Sequence, residues 1–198
     1  MSNRKELFKV LQAVSERLWE NREALNQADH YNQDHGDHMV EIFEVVTGAL
    51  KKSSEDDLSG SLSTASELLS GKESGSAEVY ARGLSQAADY FQDQEFNASQ
   101  ALPLLQALLG GGQADLGESA GGMLGSLVGS LGGEDGLDMN DVLQAGGAFL
   151  KSKGEGDSNL EAAVDALIAS SKMGEEPYRA KSSRLIAETV LDQLAGTR

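Results

Sequence analysis

The sequence predicts an all-α fold, a single-domain antiparallel helical barrel or bundle of about eight or nine helices spanning residues 1–198. Three observations predict it. Apolar residues recur at three- and four-residue steps along most of the chain, no stretch shows the two-residue alternation of a half-buried strand, and only two prolines, Pro103 and Pro177, interrupt the pattern.

The elements follow in order. Leu7, Leu11, Val14 and Leu18, joined by Phe8, Val10 and Trp19, give a first helix over roughly residues 4 to 26. Met39, Ile42, Phe43, Val46 and Leu50 form the face of a second. Leu58, Leu62, Ala65 and Leu69 form a third, and Val79, Tyr80, Leu84, Ala88 and Phe91 a fourth. A shorter fifth carries Ala101, Leu104, Leu105 and Leu108, and Met139, Val142, Leu143 and Phe149 continue the rhythm. Ser158 and Glu161 form a capping-box signature ahead of Leu160, Val164, Leu167 and Ile168. The last helix carries Leu185, Ile186, Val190 and Leu194. Residues 110–147 hold thirteen of the 23 glycines, and Gly121, Gly125, Gly129 and Gly133 recur every four residues opposite Leu124, Leu127, Val128 and Leu131. The stretch around 110–136 is therefore either a glycine-rich insertion or a tightly packed helix, the latter at roughly 1 kcal/mol of propensity per glycine.

Composition excludes several function classes. The net charge is −16, from 32 acidic against 16 basic residues, and no Lys or Arg occurs between Arg82 and Lys151. The charge argues against nucleic acid and anionic membranes as partners, and the stretch without Lys or Arg cannot build a basic groove for a phosphate backbone. The absence of cysteine excludes disulfides, thiolate-bound zinc and thiol catalysis. The N-terminus has no apolar signal core. The uncharged stretch from Phe96 to Ala114 contains Asn97, Gln100, Pro103 and glycines, unlike a membrane span. The expectation is a cytoplasmic protein.

Chemistry is concentrated in one place. All three histidines, together with three aspartates, lie in the segment Asp29-His30-Tyr31-Asn32-Gln33-Asp34-His35-Gly36-Asp37-His38. Crowded carboxylates repel unless a cation or donors compensate. Asp29, Asp34 and Asp37 suit Mg²⁺, which favours a few carboxylates plus a phosphate-bearing ligand. His35 and His38, three residues apart, could instead share a zinc ion with an aspartate, although the His-Glu-x-x-His pattern of zinc proteases is missing. The third reading is a polar interhelical loop in which Asp34 or Asp37 caps the second helix. It is not an EF-hand loop, since Tyr31 and Gln33 stand where oxygen ligands are needed.

The run from Leu25 to Met39 resembles the metal motif of the L-type nucleotide-binding domain of dihydroxyacetone kinases, an Asp, four residues, then Asp-Gly-Asp-His-Gly, shortly before a Met and a Phe. Asp29 and Asp34 keep the five-residue spacing, Asp37-His38 corresponds to the Asp-His pair, and Met39 and Phe43 to the helix that follows. Asp34 and Asp37 are three apart rather than two, and Met39 replaces the final glycine. Gly71-Lys72-Glu73-Ser74-Gly75-Ser76 is similar to the family's Gly-Gly-x-Ser-Gly loop. Gly156-Asp157-Ser158 with Asp165-Ala166-Leu167, and the basic stretch Tyr178 to Arg184, are similar to its later segments. The resemblance implies an all-α barrel and Mg²⁺ at Asp29, Asp34 and Asp37. It further implies ATP or ADP with its phosphates near His38, Ser74, Gly75, Ser76 and Arg184. The chemistry implied is phosphoryl transfer, as in a glycerone kinase, to a substrate presented by a partner protein, because the family's acceptor-binding domain is missing from this chain. The residues alone leave two other functions open: a non-catalytic helical interaction protein, and a His/Asp zinc protein.

Overall fold

A computed structural model describes residues 3–53, 57–92, 94, 96–97, 100–110, 168 and 176–195. Six helices and no strand occur among them: α1 (Asn3–Ala28), α2 (His35–Lys52), α3 (Leu58–Ser70), α4 (Gly75–Tyr90), α5 (Ala101–Gly110) and α6 (Pro177–Ala195). The glycine-rich stretch, the elements expected from Met139 to Phe149 and the Ser158–Glu161 capping box lie outside the described residues.

Most of the apolar residues read from the sequence are buried; Trp19, read as part of the first stripe, is instead 58 % exposed on α1, with the Arg22 guanidinium over its ring. Leu7, Leu11, Val14, Leu18 and Leu25 of α1 face Met39, Ile42, Phe43, Val46 and Leu50 of α2, and all belong to one hydrophobic cluster shared by every described helix. Arg4 donates to the carbonyl of Leu50 while Asn26 meets Asp37, so α1 and α2 run antiparallel. Ser59 bonds to the carbonyl of Ala88 and Ser66 to that of Ala81, which makes α3 and α4 a second antiparallel pair. Tyr80 of α4, fully buried, meets Phe43 of α2 edge-to-face at 5.6 Å and ties the pairs together. In α5, Leu104, Leu105, Ala107, Leu108 and Leu109 are all buried, as expected of a helix that is apolar nearly all round. Gly83 allows α4 to approach it, since a Cβ there would stand 2.2 Å from the Ala107 carbonyl oxygen. α6 lies against α1, with its first turns at the α1–α2 loop, where Lys181 Nζ donates to the Ala24 carbonyl at 3.1 Å. No helix among the described residues is long and apolar enough to cross a membrane.

Candidate functional site

The His/Asp segment is the short link between α1 and α2, and Asn26 in the last turns of α1 organises it. The Asn26 Oδ1 accepts from the backbone N–H of Gly36 at 2.6 Å and of Asp37 at 3.2 Å, while its Nδ2 donates to Asp37 Oδ2 at 2.8 Å. Two of the free N–H groups at the start of α2 are thus satisfied from another helix. Asp34 occupies the N-cap position yet makes no side-chain cap, so neither it nor Asp37 caps α2 as the loop reading expects. Asn26 does so because α1 comes very close. A Cβ on Gly36 would sit 2.1 Å from the Arg22 carbonyl oxygen.

The three aspartates have separate partners. Asp29, 3 % exposed, accepts from Tyr31 N–H at 3.0 Å in an Asx-type turn. Asp34 Oδ1 lies 3.2 Å from His38 Nδ1. Asp37, exposed, lies 3.4 Å from Arg22 Nε in addition to its bond from Asn26. Among the described residues no group of three His, Asp or Glu side chains stands together as a metal ion would need.

Of the histidines, His30 is exposed, His38 is half-buried on Asp34, and His35 is the one built into the fold. Its ring is 2 % exposed and meets Tyr178 edge-to-face at 4.7 Å, and Tyr178 in turn meets Tyr31 at 6.3 Å. His35 Nε2 lies 2.9 Å from Ser182 Oγ, and Ser182 Oγ donates to the Arg179 carbonyl at 2.9 Å. With the serine proton committed, His35 must donate, which fixes the neutral ring as its Nε2–H tautomer. Burial, then the positive charge of Arg179, lowers its pKa from 6.5 to about 4, against the opposing pull of Asp29.

The second segment expected at the site is partly where the sequence places it. Ser74 caps α4, its Oγ accepting from Ala77 N–H at 3.4 Å, and Ser76 is buried in the first turn. The basic residue that reaches this turn is Arg179, whose Nη2 would be 3.3 Å from a Cβ on Gly75, whereas Arg184 is exposed farther along α6. The starts of α2, α4 and α6 therefore meet around His35, Gly75 and Arg179. Asn26, Tyr178, Arg179 and Ser182 are the residues that motif reading did not single out. Tyr178, Arg179 and Ser182 lay inside the basic stretch already noted; Asn26 lay inside the Leu25–Met39 run but had no signal beyond its place at the end of an amphipathic helix.

Gln33 completes the link with φ of 60°, the one non-glycine residue with positive φ among those described. A side chain there is strained. Gln33→Gly is expected to stabilise the fold by roughly 1 kcal/mol, read as a higher urea midpoint at unchanged slope. A lower midpoint would contradict the left-handed assignment. Compared with protein-family models, curated proteins and solved structures, the chain matches none.

Proposed function

We propose that this chain is a divergent relative of the dihydroxyacetone-kinase L-type domain whose metal loop has become a structural clasp, leaving a non-catalytic helical interaction protein. The observation that carries this is the separate engagement of the three carboxylates by Tyr31, His38 and the Asn26–Arg22 pair. The register of the resemblance adds support. The family motif ends in His-Gly, and the pair that opens α2 under tight packing is His35-Gly36, not His38-Met39. Aligned on that pair, the motif's inner glycine falls on Gln33, the residue with positive φ. Its last aspartate falls on Asp34, and its first two on Gln27 and Asn32. Amides there would leave one carboxylate of three, and Mg²⁺ depends on carboxylate charge. A zinc site at His35 and His38 would require both rings to leave partners they already hold.

A second reading, binding of ATP or ADP with Mg²⁺ carried in on the phosphates, is favoured by the meeting of three helix N-termini with Arg179. Helix N-termini and a guanidinium both attract phosphate. Phosphoryl transfer would still need a partner protein to present the acceptor, and the full barrel of eight or nine helices belongs to this family reading. Titration calorimetry with Mg·ATP and Mg·ADP on the full chain separates the two. The expected result is no saturable heat at millimolar nucleotide. A one-to-one isotherm that Arg179→Ala removes would overturn the first reading in favour of the second.

A further inference from the structure

On α2, the groove shared with α3 carries a feature independent of the Asp/His loop. It has a volume of about 590 Å³, with Val45, Gly48 and Ala49 of α2 as its floor, and Thr64 and Leu68 of α3 on its wall. Leu68 is 53 % exposed, one of three large apolar side chains so exposed among the described residues. Among the described residues, nothing lies within 4 Å of where a Cβ on Gly48 would stand. Glu44 and Lys52 flank this point, each four residues from Gly48, and neither makes an ion pair among the described residues. Glu41, by contrast, is held by Lys72 at 2.6 Å.

We infer that this groove is a self-association face, on which a second copy of the chain lays its α2 antiparallel across the first at Gly48. The charge pattern selects this occupant. A two-fold axis through Gly48 brings Glu44 of one copy opposite Lys52 of the other, twice, so the face is its own complement, as an isologous interface requires. Gly48 and Ala49 let the two backbones approach, and Leu68 supplies apolar area that is otherwise left in water. The net charge of −16 opposes association at long range, but at physiological salt, with a Debye length of about 8 Å, that repulsion is screened more than a close pair.

Sedimentation equilibrium of the full chain at physiological salt tests this. The expected result is a concentration-dependent dimer. Gly48→Arg should abolish it while circular dichroism stays unchanged, because the site has room for the side chain. Glu44→Lys and Lys52→Glu should each weaken the dimer about tenfold or more, and the two together should restore it. These two substitutions move the net charge in opposite directions, so weakening by both cannot come from overall repulsion. A chain that stays monomeric at every concentration overturns the proposal, whether the groove is empty or reserved for another protein. So does a dimer indifferent to Gly48→Arg, or one that the double reversal fails to restore.

Discussion

Acidification is expected to cost the fold on the order of 3 kcal/mol through His35 alone, between about pH 6.5 and about pH 4. The unfolded chain accepts a proton on this residue at the ordinary histidine pKa of 6.5, whereas the folded chain resists until about 4. Across that window the unfolded state holds more protons, so stability rises with pH. The His35 contribution is fully present above about 6.5, declines as the pH falls towards 4, and is gone below it. Three charged or titratable groups act on the ring: Arg179 and His38 repel a proton there, and Asp29 attracts one. Packed against Ser182 and Tyr178 and 2 % exposed, the ring is removed from bulk solvent, so an imidazolium there would be poorly solvated. Urea midpoints measured across this range on the parent and on His35→Gln isolate the effect, since the two proteins differ only at this side chain. Glutamine retains an N–H for Ser182 but takes up no proton, so its stability should fall less on acidification. Parallel curves for the two proteins would sink the assignment.

The helices were readable because burial and sequence period coincide. The stripe of Leu7, Leu11, Val14 and Leu18 places the first helix at residues 4 to 26, and it runs Asn3–Ala28. The loop was readable as the place where polar chemistry gathers, but its internal roles were not. Which histidine is buried depends on how α6 folds back over the link, and Ser182 and Tyr178 lie more than 140 residues away in the chain. Arg179 and Arg184 look alike in sequence, and the helix start at Pro177 decides which of them faces Gly75. Asn26 looks like one more polar residue at the end of an amphipathic helix. Its part in capping α2 arises only because two helices approach within a side chain's length of each other. The register of the motif proposed above depends on the same kind of feature. Spacing counts residues, whereas the conformation at Gln33 and the missing Cβ at Gly36 mark where the backbone needs particular residue types.

Gly36→Val is expected to destabilise the protein by about 3 kcal/mol, the upper end of what overpacking usually costs. The new Cβ would meet the Arg22 carbonyl oxygen at 2.1 Å and Asn26 Oδ1 at 2.8 Å. The first of these is backbone inside a helix, which cannot swing aside as a flexible side chain can. Either the end of α1 or the start of α2 must shift, and both movements break the bonds from the Gly36 and Asp37 N–H groups to Asn26. Those broken bonds give the prediction a second readout. In the Gly36→Val background, Asn26→Ala should cost much less than it does in the parent, because the interaction it removes is already lost. Gly48→Ala, where an added Cβ meets nothing within 4 Å among the described residues, should instead stabilise by up to about 1 kcal/mol when measured at concentrations that keep the chain monomeric, so a general intolerance of α2 to larger residues is separable from the clash. Full additivity of the Asn26 and Gly36 substitutions in urea denaturation would mean that the clasp is not one unit. The tight approach at Gly36 is also what brings Asn26 onto Asp37. If the clasp opened easily, that carboxylate would be free of Asn26 and available to a cation.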